Sequence, residues 1–258
     1  MKFRRNMLLE FSAERISGIE FSKNIILNKV NNIAYVNTYY KDTPNIKDFE
    51  MDIKNKNLYV LVEGETIYIK MVTLPLVKKY LINDLIKNEL RYYYKDIDHI
   101  SFTYKFIKKD KFNMEILVFC LSGNNLGLLE SCIDNNIKLK KVNLIQFCFK
   151  NYYSSKINEK NYIFVFYYNC ILYFLICHND EIVANTIVRV VDLHLFKFSY
   201  AMNEFLDKYN DYAKLCKKIY YANVEGLNIE GFKYLTLSKV ILENLKREQL
   251  VKYMIIKG

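Results

Sequence analysis

The chain has 258 residues, 52% of them hydrophobic and 16% aromatic, with no tryptophan and a formal net charge of +10. That is enough apolar material for one large domain or two small ones, and it excludes a disordered tail. Seven glycines and two prolines exclude a flexible linker, a collagen-like repeat and low-complexity segments.

The N-terminus, MKFRRNMLLEFSAER, sets basic residues before an apolar run that Glu10 cuts short, too brief for a secretory signal. Strands are predicted near Arg15 to Phe21, Asn24 to Lys29 and Ile33 to Tyr40. From Leu58 to Leu90 the pattern reads strand, turn, strand, a Leu-Pro stop and an amphipathic helix. Tyr59, Leu61, Ile67, Ile69 and Met71 fall at spacing two, with Glu63-Gly64-Glu65 as the turn. Pro75 ends the ladder, so a helix is expected just after Leu74, with Leu81, Leu85, Ile86 and Leu90 on its apolar face.

Further strands are expected at Ile100 to Ile107 and Met114 to Leu121, then a helix from about Asn125 to Asn135. A strand at Leu139 to Leu144 and a helix to Tyr153 follow. The run YIFVFYYNCILYFLIC from Tyr162 to Cys177 reaches the lower edge of a membrane-spanning length. Its aromatic and β-branched residues, with turns at Asn169 and at His178-Asn179-Asp180, favour strands over Asn161 to Tyr168, Cys170 to Cys177 and Ile182 to Val191. A helix from about Leu193 to Tyr212 and a strand at Lys218 to Tyr221 complete the second block. Each block opens with a three-strand meander, which predicts a duplicated α/β fold with a cleft between its halves.

The positive charge invites a nucleic-acid or membrane-surface reading. The lysines are spread along the chain and only six arginines occur, so base composition of an AT-rich genome explains the excess more cheaply than nucleic-acid binding. Attraction to an anionic membrane surface stays open. Six cysteines without a CxxC pair, Cys120, Cys132, Cys148, Cys170, Cys177 and Cys216, read as small buried hydrophobes in a reducing cytoplasm. His99, His178 and His194 form no ligand pair at helical spacing, so no metal site is expected. Asp96-Ile97-Asp98 reads as an acidic turn, and Ser122-Gly123-Asn124-Asn125 as an N-cap or an anion site at a helix start. Tyr92-Tyr93-Tyr94 reads equally as an interface anchor or a buried helix end.

Three passages resemble the PilM-type cytoplasmic assembly proteins of type IV pilus systems, and more distantly the GspL-type proteins of type II secretion. They are the strand pair ending in Met71-Val72-Thr73-Leu74-Pro75, the run from Ile116 to Leu144, and the meander from Tyr162 to Val191 with Arg189 in its third strand. The resemblance implies a mixed α/β, actin-like or ribonuclease H-like duplicated fold with an inserted α/β subdomain and a shortened second half. The halves would be 15–56 with 145–159 and 160–258, the insert 57–144. By the same resemblance, Glu20, Ser22 and Lys23 lie in the first phosphate loop, where Phe21 replaces a glycine. Phe166, Tyr168 and Asn169 mark the second, with neither carboxylate nor glycine. Ala222-Asn223-Val224-Glu225-Gly226 keeps one glycine of the adenosine-side pair.

What the resemblance implies is a non-enzymatic scaffold with no catalytic residue and no cofactor, weak ATP and magnesium binding being the exception allowed. It would be cytoplasmic and peripheral at the inner face of the cell membrane. A bitopic PilN-type protein would dock its tail in a groove between the first α/β half and the inserted subdomain, and contacts would pass on to the pilus assembly ATPase machinery. An active actin-like ATPase and a basic nucleic-acid-binding module are the alternatives.

Overall fold

A computed structural model describes residues 5–12, 16–26, 29–41, 56–64, 67–93, 97, 100–122, 138–192, 194–231 and 237–256, with backbone alone described at 23–26, 29–41 and 93. The chain divides into two compact units, one of residues 1–65, 124–158 and 244–258, the other of 66–123 and 159–243.

The first unit is built on a five-stranded sheet. Its strands are β1 (Arg5–Phe11), β2 (Ile16–Ile26), β3 (Lys29–Lys41), β4 (Lys56–Val62) and β8 (Lys138–Leu144), in the order β3-β2-β1-β4-β8. β1, β2 and β3 form an antiparallel meander, while β4 and β8 run parallel to β1. Met7, Leu9 and Phe11 alternate along β1 and pack with Ile16, Leu58, Val60 and Val62, all buried. Helix α2 (Ile145–Tyr153) follows β8 directly. The C-terminal helix, Arg247–Ile256, also belongs to this unit, its Tyr253 ring meeting Tyr152 edge-on at 5.4 Å.

The second unit repeats the plan. β9 (Tyr162–Tyr168), β10 (Ile171–His178), β11 (Glu181–Arg189), β12 (Lys218–Ala222) and β13 (Ser238–Ile241) take the order β11-β10-β9-β12-β13. Again three strands are an antiparallel meander and two run parallel to the first. This shared order and polarity is the duplication expected from the sequence. Helices α3 (Phe198–Lys208) and α4 (Asn210–Ala213) follow, and Phe198, Met202, Phe205 and Leu206 bury one face of α3 against Ile163, Val165, Leu172 and Phe174.

The same unit carries a smaller antiparallel sheet in the order β5-β7-β6, made of β5 (Ile67–Pro75), β6 (Ile100–Lys109) and β7 (Asn113–Ser122). Helix α1 (Lys79–Tyr93) covers it with Ile82, Ile86 and Leu90, one residue per turn, against Val72, Leu74, Met114, Ile116 and Val118. Asn185, 2% exposed in β11, holds this sheet to the larger one. Its Oδ1 accepts from the Ile67 amide at 3.1 Å and its Nδ2 donates to the Ile67 carbonyl, so one side chain replaces a missing strand partner.

Several boundaries differ from expectation. β1 is a strand although Glu10 interrupts its apolar run, and β2 spans what read as two strands with a turn between. β4 and β5 belong to different sheets. Gly64, at φ +76°, marks the exit from β4, and the Glu63 amide reaches the Phe11 carbonyl at 2.7 Å. β4 and β8 therefore leave the expected insert 57–144 for the first sheet, and the C-terminal helix leaves 160–258 for the first unit. α1 starts at Lys79, not directly after Leu74, and Leu81 is 39% exposed, the buried row being shifted by one residue to Ile82. Tyr162 to Cys177 forms β9 and β10, which removes the membrane-span reading. Among the described residues no helix is long and apolar enough to cross a membrane. The expected helix from Asn125 to Asn135, Gly123-Asn124-Asn125, Asp96, Asp98, His99, Tyr94 and Cys132 lie outside the described residues.

Candidate functional site

By the resemblance, phosphates would be held at the first turns of the two meanders. In the first unit that turn joins β1 to β2, at residues 12–15, of which Ser12 is described. Glu20, Ser22 and Lys23 are not in it. They lie inside β2, opposite Met7, Ala34 and Ile33 respectively for the three positions. Glu20 is 3% exposed and receives the Lys56 ammonium, with the Arg5 guanidinium at 3.6 Å. The Lys56–Glu20 pair fastens β2 to β4. Ser22 is exposed.

The acidic residue at the mouth of that turn is Glu10, next to the last residue of β1 and 3% exposed. Three groups converge on its carboxylate. The Ser17 hydroxyl donates to Oε2 at 2.8 Å from the paired strand β2. Arg247 Nε lies 3.1 Å from Oε1 and 3.0 Å from Oε2, and its Nη2 also donates to Oε2. The same Nη2 reaches Ser17 Oγ at 3.3 Å. A planar guanidinium matches a carboxylate edge, and such charge-assisted pairs are the strong ones. Arg247 is the first residue of the helix named here α5 (Arg247–Ile256), so this charge pair spans nearly the whole chain in sequence.

A magnesium ion needs oxygen ligands at about 2.0–2.1 Å in octahedral array. Both Glu10 oxygens face nitrogen or hydroxyl donors, so the carboxylate does not fit that task. No group of three or more His, Cys, Asp or Glu side chains among the described residues could hold a metal.

In the second unit the corresponding turn is Asn169-Cys170 between β9 and β10. Both residues have positive φ, 47° and 60°, the signature of a two-residue hairpin turn. Such a turn leaves no backbone loop to wrap a phosphate. Phe166 and Tyr168 do not project into it. Phe166 is fully buried and stacks on Tyr173 at 4.6 Å and 7°, and Tyr168 is 6% exposed. Asn169 lies in the turn, as the sequence reading places it.

After β12 the chain turns through Asn223, at φ +57°, to Gly226, at φ +82°. A Cβ at Gly226 would come within 3.0 Å of His194 Cε1, so the glycine is required both by its backbone and by the imidazole above it. The His194 amide donates to Asp192 Oδ1 at 2.8 Å.

A groove of about 300 Å³ opens in the first unit, lined by Lys141, Asn143, Phe147, Asn151, Ser154 and Tyr253 among others. Nothing in the sequence pattern singled it out, because its walls come from β8, α2 and α5. It also touches Cys148, whose thiol burial pushes up to about 12 although Lys141 pulls the other way. A thiol held neutral is no nucleophile.

No family model matches the sequence, and no curated protein matches it. Solved structures do match, over almost the whole chain. The cytoplasmic domain of EpsL, an inner-membrane component of the type II secretion system of Vibrio cholerae, superposes with a TM-score of 0.58 at 9% identity, covering 98% of this chain and 95% of that one. The PilM-PilN type IV pilus biogenesis complex gives 0.55 at 11% identity, over 96% and 94%. A Bacteroides thetaiotaomicron protein of unknown function with an actin-like ATPase fold gives 0.52 at 10% identity, over 96% and 95%. The fold is actin-like. The resemblance to PilM-type and GspL-type proteins read from the sequence holds at the level of that fold.

Proposed function

We propose that the chain is a non-enzymatic scaffold of an inner-membrane assembly platform of the type IV pilus or type II secretion kind. In this reading it sits at the cytoplasmic face of the membrane and receives the cytoplasmic tail of a bitopic, PilN-type partner. One observation carries the proposal. A chain that matches these assembly proteins over nearly its full length has its meander carboxylate, Glu10, bound by Arg247 and Ser17 in place of a cation. The two-residue turn at Asn169-Cys170 and the His194 ring over Gly226 support the same reading. Recognition of an extended tail needs backbone pairing and side-chain pockets, not a reactive group.

The test is a calorimetric titration of the purified protein with the cytoplasmic peptide of the bitopic protein encoded beside it, then separately with magnesium ATP. Saturable binding of the peptide but not of a scrambled control, with no heat from the nucleotide, is the expected result. Saturable nucleotide binding with phosphate release would replace the scaffold by an active ATPase.

A further inference from the structure

One end of the small β5-β7-β6 sheet combines exposed apolar side chains with a ring of lysines. At the tip of the β6–β7 hairpin, Phe112 is 77% exposed, and Leu76, just past the end of β5, is 42% exposed. The two are tied by the Leu76 amide, which donates to the Phe112 carbonyl at 2.7 Å. Around them stand Lys78, Lys79, Lys108, Lys109 and Lys111, all exposed, with Asp110 as the one acidic residue in segments 75–80 and 108–113. Tyr80, at 70% exposure, follows in the first turn of α1.

The tip is also stiff. Asp110 Oδ1 accepts from the amides of Phe112 at 2.8 Å and Asn113 at 2.7 Å, and the Asp110 amide donates to Asn113 O at 2.9 Å. These amide bonds hold the Asp110 carboxyl below its ordinary range, so it stays ionised and its charge is spent on the turn. A pre-set turn presents Phe112 outward at little entropic cost. The fold gains nothing from that exposure, because the buried face of this sheet is already filled by α1.

We propose that this end of the sheet is a membrane-surface dock, in which Phe112 and Leu76 enter the headgroup region of an anionic bilayer while the five lysines meet lipid phosphates. The chemistry favours lipid over other occupants. Lysine stems can lie along an apolar surface with their ammonium groups among headgroups, and each adds about fivefold to affinity for an anionic surface. A second copy of the same face would set lysines against lysines. Neither segment has the arginine that base or phosphate-diester recognition favours. The inference deepens the scaffold reading, on which it rests for the presence of a membrane, by naming the surface that touches it.

The test is flotation of the full chain with vesicles of phosphatidylcholine containing phosphatidylglycerol, against phosphatidylcholine alone. Binding to the anionic vesicles that weakens as salt rises is expected. Phe112→Ser should lower it by about tenfold, and Lys109→Gln with Lys111→Gln by about fivefold per residue. All three positions are solvent-exposed, so circular dichroism and melting should match wild type. Vesicle binding unchanged in these variants would overturn the inference, as would capture of duplex DNA or an acidic peptide in place of vesicles. If the wild type ignores vesicles yet still titrates with the partner tail, the dock falls and the scaffold stands. If it ignores both, the two fall together.

Discussion

Glu10 shows why a charged residue can sit buried near the end of a core strand. A buried carboxylate is costly unless it is paired and hydrogen-bonded, and Arg247 with Ser17 supplies both. Arg247→Ala leaves the charge buried with one hydroxyl, and the expected loss is about 3 kcal/mol of stability, read as a lower denaturant midpoint at unchanged slope. Glu10→Gln keeps an acceptor for both donors and should cost less, about 1 kcal/mol. If magnesium raised the melting point of the Arg247→Ala protein to the wild-type value, the guanidinium would be standing in a working cation site, and the misfit argued from its geometry would be wrong. This residue was illegible in the sequence for a physical reason. Local hydrophobic patterning reports neighbours, whereas the partner that makes Glu10 tolerable lies at the other end of the chain. Cysteines were more legible, since small apolar packing needs no distant partner: Cys120, Cys148, Cys177 and Cys216 are buried as expected, while Cys170, in a turn, is exposed against expectation. Burial pushes the thiols of Cys120 and Cys216 up to about 11 and about 12. In the folded protein at pH 8, alkylation mapped by mass spectrometry should therefore mark exposed Cys170 and spare Cys120, Cys148, Cys177 and Cys216 until denaturant is added. Modification of Cys148 at the Cys170 rate would contradict its burial.

At the level of elements, the second meander was readable almost to the residue, and the first was not. In β9 to β11 the chain changes direction twice, each time through two residues at positive φ that include an asparagine or aspartate: Asn169-Cys170 and Asn179-Asp180. Turn chemistry of that kind is written locally. In β2 the register shifts against β3 near Phe21 and Ile25 break the alternation, so one long strand looked like two. The same logic identifies a strained position. Cys170 adopts φ +60° without the side-chain carbonyl that lets asparagine do so, and Cys170→Gly should raise stability by about 0.5–1 kcal/mol, checked by chemical denaturation. A destabilised glycine variant would mean that the Cys170 contact with Tyr167 outweighs the backbone strain. In α1 the opposite holds: Ile86 is fully buried under the small sheet, and Ile86→Ala should cost about 2–5 kcal/mol through the cavity it leaves.

Across the whole molecule the chain does not fold in consecutive halves. The first unit takes its sheet from residues near the N-terminus, its edge strand from the middle and a helix from residues 247–256, a range that sequence order alone puts with the second half. α5 has no strong amphipathic signature, yet Leu250, Val251, Met254 and Ile255 are buried. Each such side chain is worth about 1.5–3 kcal/mol on burial, which is comparable in sum to the whole stability of a domain. Deleting residues 244–258 should therefore unfold the first unit, since it removes that surface and the Glu10 counter-charge at once, while the second unit keeps a core of its own around β9, β10 and α3. Hydrogen exchange resolves the two cases by peptide. Lost protection in β1, β2 and β4 with near-native protection in β9 and β10 is the expected pattern. Uniform loss would show that the units fold as one cooperative body, and uniform retention would show that α5 adds little to the unit in which it is buried.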